Sequence, residues 1–178
     1  MPRRAAVLVA LACSLAVSCS APGGHAADPT SAATAQAGFE RMKALEGEWT
    51  GEGPADASGP MTVTYELTGG GSALVETLFA DTPGEMVTIY TIEDGDLMLT
   101  HYCSLGNQPR MRAEPLQGDV LVFRFAGGAN IDPARDDHMH DARYEFVAQD
   151  ELLIEFTGWS GGRPDTGHQA RVRLTRKA

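Results

Sequence analysis

Two short patterns carry residue types that could do chemistry. His138-Met139-His140 sets two imidazoles two residues apart, and His101-Tyr102-Cys103 sets an imidazole and a thiol at the same spacing. On an extended strand such pairs share a face, about 6.5–7 Å apart along the chain. In 138–146, His138, His140, Ala142, Tyr144 and Phe146 alternate with Met139, Asp141, Arg143 and Glu145. The second set carries the charges, so both histidines are expected to point inward. In 96–104, Leu97, Leu99, His101 and Cys103 share the more apolar face, against Met98, Thr100 and Tyr102. His101, Cys103, His138 and His140 are thus expected to line one interior, with Tyr144 and Trp49 beside them. Three imidazoles and a thiolate could hold zinc or copper. The same groups could bind haem or an organic ligand. They could equally be core side chains satisfied by Tyr65, Tyr144, backbone or water.

Other candidates are weaker. Glu76 stands among apolar residues in 73–79 and is expected to face solvent; turned inward, it could pair with Arg110, Arg112 or a histidine. Asn107-Gln108-Pro109-Arg110 reads as a polar hairpin. Asp132, Asp136 and Asp137 fall in a stretch without the calcium-loop pattern, so a solvated loop is expected. Paired histidines and a glutamate could do the acid–base work of a hydrolase or isomerase. There is, however, no His-Glu-x-x-His, phosphate loop or dinucleotide fingerprint, and nothing singles out a nucleophile.

The elements that must position these residues begin after a targeting segment. Arg3 and Arg4 precede an uncharged apolar run over 5–17, too short to span a bilayer, which takes about 20 apolar residues. Leu15-Ala16-Val17-Ser18-Cys19 resembles a bacterial lipobox, with Ala16 where Leu is usual. On that reading residues 1–19 are a signal peptide with lipobox, Cys19 is lipidated, and the membrane is a partner through that anchor. Ser20 fits sorting to the outer membrane. The rival is cleavage near Ala26, giving a periplasmic or secreted chain. Residues 20–37, rich in Ala, Ser, Thr, Gly and Pro, read as a flexible tether, and 38–178 as one domain.

Removing the two signal arginines from 14 basic residues leaves 12 against 24 acidic ones, a net charge of −12. So acidic a surface excludes nucleic acid and adhesion to anionic lipid. With Cys13 in the signal and Cys19 lipidated, Cys103 has no intrachain partner, so disulfides do not hold the fold.

Phe39, Met42 and Leu45 form a short helical stripe over 38–45. Beyond it the period changes to two. Ten strands are predicted over 45–53, 61–68, 72–80, 86–93, 96–104, 109–114, 119–126, 138–147, 151–158 and 168–176, separated by Gly, Pro and Asp turns. Short links imply antiparallel neighbours, and closure removes the edges of such a sheet. The expectation is an all-β, antiparallel up-and-down barrel with a short N-terminal helix, a β-sandwich being the alternative. Charge on one face of the strands argues against an outer-membrane barrel. Trp49 is expected to lie buried near the closed end, under Phe39 and Met42.

Leu45-Glu46-Gly47-Glu48-Trp49-Thr50-Gly51 after a helical turn resembles the start of calycins: lipocalins, fatty-acid-binding proteins and nitrobindin-like barrels. The nitrobindin likeness is partial, since its haem-binding histidine has no assigned counterpart here. The stretches Gly84-Glu85-Met86-Val87-Thr88-Ile89-Tyr90, His101 to Pro109 and Asp137-His138-Met139-His140 resemble bacterial exported proteins of unknown function with a lipocalin-like barrel. That resemblance implies the fold and no activity. Together these features point to an exported, lipid-anchored barrel that binds a small hydrophobic or metal ligand. A hydrolase or isomerase and a filled structural envelope lipoprotein stand as alternatives.

Overall fold

A computed structural model describes residues 29–52 and 60–178. The expected signal segment, Cys19, residues 20–28 of the tether, and Gly53 at the end of the expected first strand lie outside the described residues. One helix, α1 (Pro29–Lys43), is followed by ten strands: β1 (Gly47–Glu52), β2 (Pro60–Thr68), β3 (Ala73–Leu78), β4 (Met86–Glu93), β5 (Asp96–Tyr102), β6 (Gln108–Ala113), β7 (Val120–Ala129), β8 (His138–Ala148), β9 (Glu151–Ser160) and β10 (Arg163–Arg176). Each strand pairs antiparallel with its successor, and β1 pairs with β10, closing the barrel. The fold is therefore the up-and-down barrel that short turns and period-two patterning predict.

The helix corrects one expectation. It begins at Pro29, not Gly38, so residues 29–37 are helical rather than tether. Their alanines lack bulk for a core, but alanine is the best helix former, and Ala35 packs against the core. At Gly38 a Cβ would stand 3.1 Å from Leu97 and 3.4 Å from Leu121, so the helix approaches the barrel closely there.

This end of the barrel is plugged. Phe39, Met42 and Leu45 are buried, and Trp49 is buried as expected, its indole N–H donating to the Leu45 carbonyl at 2.7 Å. Arg176, near the end of the chain, lies 4.4 Å over the Trp49 ring. Its guanidinium also donates to the Ala44 and Glu46 carbonyls at 2.7 and 2.6 Å, tying the helix exit to the closing strand. The seam is tight: a Cβ at Gly51 would fall 2.2 Å from the Arg173 carbonyl oxygen, a contact only glycine permits.

The middle of the barrel is filled by Tyr65, Leu74, Tyr90, Leu99, Met111, Phe123, Tyr144 and Ile154, all fully buried. Tyr90, Phe123 and Tyr144 pack against one another with centroids 5.7–6.2 Å apart. The outer wall is ionic, with Arg143 between Glu145 and Glu155, Arg124 between Glu114 and Asp141, and Arg173 on Glu151. Such a wall faces water, whereas membrane barrels turn an apolar band outward.

Candidate functional site

The end opposite the helix is open. A cavity of about 190 Å³ there is walled by Leu78, Met86, His101, Cys103, Met139 and Phe156, with His138 and Gly158 beside them and Leu105 and Asp137 at the rim. Larger hollows on the outer wall lie among the polar and charged side chains of β7 to β10 and of β1, β2, β9 and β10, several of them already ion-paired.

Five strands and one turn build the mouth, β8 and β9 bringing His138, Met139, Phe156 and Gly158. The ends of β3 and β5 and the start of β4 bring Leu78, His101 and Met86. The β5–β6 turn brings Cys103 and Leu105. That turn is held by the Cys103 N–H on the Asn107 carbonyl (3.1 Å) and the Gly106 N–H on the Cys103 carbonyl (2.9 Å). Asn107, expected as a polar hairpin residue, is buried. Its side-chain amide donates to the Asp137 carbonyl at 2.8 Å, pinning the turn to the start of β8, while its side-chain oxygen Oδ1 has no partner among the described residues.

The histidines separate. His138 is 2 % exposed and lines the cavity. Its Nδ1 lies 2.8 Å from the Asp136 carbonyl, which can only accept, so Nδ1 carries a proton, and its Nε2 meets His140 Nδ1 at 3.0 Å. His140 does not line the cavity, which corrects the expectation that both look inward. Met139 pairs with Gly158 and Asp141 with Thr157, leaving His140 as the extra residue of a bulge. Its ring stacks on Trp159 at 3.8 Å and on Phe125 at 4.6 Å, at the seam where β7 stops pairing with β8 beyond Phe123 and Ala142. Burial, reinforced by His138 and opposed by Asp141, lowers the His140 pKa.

Of the expected ligand-contacting residues, His101, Cys103 and His138 come together. Trp49 sits at the plugged end, and Tyr144 in the filled middle, its hydroxyl 2.6 Å from that of Tyr90. Among the described residues no three His, Cys, Asp or Glu side chains form a group that could hold a metal, so the zinc or copper site expected from His101, Cys103, His138 and His140 is not formed. Haem, larger than ligands that need about 300–1,000 Å³, does not fit the cavity.

Glu76 departs furthest from expectation. It is fully buried, the one carboxylate or cation so placed among the described residues. Neither Arg110 nor Arg112 reaches it; they pair with Glu93 and Asp96 on the outside. Instead Tyr65 and Tyr90 donate to its two oxygens at 2.7 and 2.8 Å. Burial raises its pKa, opposed by hydrogen bonds from Tyr65, Tyr90 and Thr88. Thr88 also meets His101 Nδ1 at 2.9 Å, and burial pushes the His101 pKa down to about 4. Glu76 and Thr88 are the site-supporting residues that sequence reading missed. Glu76 does alternate with Leu74 and Leu78 on β3, but Ala73 and Val75 make the other face apolar too, so that alternation does not by itself mark it as inward.

Sequence reading also passed over Gly158-Trp159-Ser160-Gly161-Gly162, which has the spacing of a nucleophile elbow. That motif needs a strand-to-helix turn. Here the segment enters the β9–β10 hairpin, and the Ser160 hydroxyl makes no hydrogen bond among the described residues.

The fold and site define a closed ten-strand antiparallel barrel, plugged by a helix at one end and hollow at the other. No protein-family model matches the chain, and no curated protein matches it either.

Proposed function

We propose that this chain is an exported, lipid-anchored barrel of the lipocalin-like kind that binds a small, mainly apolar ligand in the mouth cavity. The observation that carries the binding reading is the cavity itself: apolar walls from four strands around the imidazoles of His101 and His138. Few convergent polar groups in an apolar hollow are the usual makeup of a small-molecule site. At about 190 Å³ it suits a single ring or short chain.

Native mass spectrometry of protein purified from its own compartment tests this. A bound organic mass that disappears in Leu78→Trp, which fills the hollow, is the expected result. Absence of any bound mass, together with no saturable small-molecule binding by the purified chain, would sink it.

Export and anchoring rest on Arg3, Arg4, the apolar run over 5–17 and the lipobox-like Leu15 to Cys19. Cys19→Ala should release the chain from the membrane fraction, since an acidic, ion-paired outer wall has no affinity for lipid. Unchanged fractionation would refute the anchor. A structural envelope lipoprotein is the second reading, favoured by the filled middle of the barrel; it predicts that Leu78→Trp alters nothing but stability.

A further inference from the structure

Charge decides what could accompany an apolar body into the mouth. Every residue that borders the cavity is apolar or uncharged except the two imidazoles and Asp137, and no Lys or Arg borders it. Burial pushes the His101 pKa down to about 4, so that ring brings no positive charge at neutral pH. His138 has its Nδ1 on the Asp136 carbonyl and its Nε2 on His140. A carboxylate drawn into the hollow would find no Lys or Arg to pair with, and burying one unpaired is costly. The links at this end of the barrel, 79–85, 103–107, 130–137 and 161–162, carry Asp81, Glu85, Asp132, Asp136 and Asp137 against one cation, Arg135, with Arg163 opening β10. Arg135 is engaged by Asp132. Glu85 accepts the Asp81 N–H at 3.0 Å, and Asp136 accepts the Asp132 N–H at 2.7 Å. Of these acids only Asp137 borders the cavity. It is exposed, and its carboxylate has no hydrogen bond or ion pair among the described residues; only its backbone carbonyl is taken, by Asn107.

We propose that the mouth pocket takes a small aromatic or short-chain amine, its apolar body in the hollow and its ammonium outside at Asp137. This rests on the reading of the mouth as a ligand pocket and adds the ligand class. The ammonium stays at the rim because burying a charge without a partner costs more than the apolar contact returns. The acidic links add a longer-range field that draws cations to this end and turns carboxylates away. Asp137 is a rim contact in water, so its pull is modest and the apolar walls supply most of the affinity.

The test uses the full chain with carbon-13 methyl-labelled methionine, since Met86 and Met139 stand in the cavity wall. Their methyl shifts are followed by NMR during titration with benzylamine, benzyl alcohol and benzoate at pH 8, above the ordinary range of an imidazole and with the amine still charged. The expected results are saturable shifts of both methyls, binding about threefold tighter for the amine than for the alcohol, and benzoate the weakest of the three. Added salt should narrow the gap between amine and alcohol. Asp137→Asn should bring the amine to the affinity of the alcohol and leave the alcohol unchanged; the side chain it alters holds no partner in the fold, so the barrel should stay intact. Leu78→Trp, which fills the hollow, should lose all three. Binding of the alcohol or benzoate as tight as that of the amine, or an amine preference untouched by Asp137→Asn, overturns the assignment and leaves the pocket standing. Saturable binding of none of the three probes overturns the ligand reading and this assignment with it.

Discussion

A proton on His101 must work against burial, and that has a measurable consequence. Its pKa falls from the ordinary 6.5 to about 4, so between those values the unfolded chain binds a proton that the folded chain refuses. This contribution to stability is complete above pH 6.5, declines as pH falls, and is fully lost near pH 4, a difference of about 3 kcal/mol. Glu76, shifted upward, works in the opposite direction, because folding strengthens its hold on its own proton. Urea midpoints at pH 7 and pH 4.5 should therefore fall with acid, and fall less in His101→Gln; an equal drop in both chains would place the acid sensitivity elsewhere. Tyr90→Phe should cost about 1–3 kcal/mol, because it strips partners from both Glu76 and Tyr144. Tyr102→Phe, on an exposed side chain, should stay within about 0.5 kcal/mol in the same urea series. The inward placement of His101, Cys103 and His138 was legible from alternation alone. Glu76 was not, because β3 is largely apolar on both faces and gives no contrast. His140 was not, because a bulge shifts the phase without any mark in the period.

Strands proved more legible than the helix. Period-two runs between Gly, Pro and Asp turns locate all ten, most ends falling within two residues of the predicted ones. The largest miss is β10, which starts at Arg163 rather than 168. There the pairing slips between Asp165 and Gln169, an irregularity that an alternating pattern cannot carry. The helix start was missed for a different reason. An alanine-rich stretch without large apolar residues reads as a tether, yet needs only one flank against a barrel end to stay helical. The plug it forms centres on Trp49. Trp49→Ala should cost about 3–5 kcal/mol, as for large buried aromatics, with chemical denaturation as the measure. A cost below about 1 kcal/mol would mean that the ring contributes little to closing that end.

At the scale of the molecule, a water-facing ionic wall, a filled middle and one hollow mouth follow from where charge alternates with apolar side chains. Closure was legible because short links leave no room for crossovers; the size and lining of the mouth were not, since they depend on register between strands far apart in the chain. Closure also makes β10 indispensable. The Lys177 N–H donates to the Glu48 carbonyl at 2.8 Å, and Arg176 holds the exit of α1, so β1, already paired with β2, finds its second neighbour only in β10. A chain ending at residue 168 would leave open edges on β1 and part of β9, and exposed edges recruit other chains. It should be recovered as aggregate or protease-sensitive material, and a monodisperse, resistant product would contradict the closure argument. Bringing such distant ends together is slow. Until β10 docks, the edges of β1 and β9 stand open, and that interval is when this topology is most exposed to pairing with other chains.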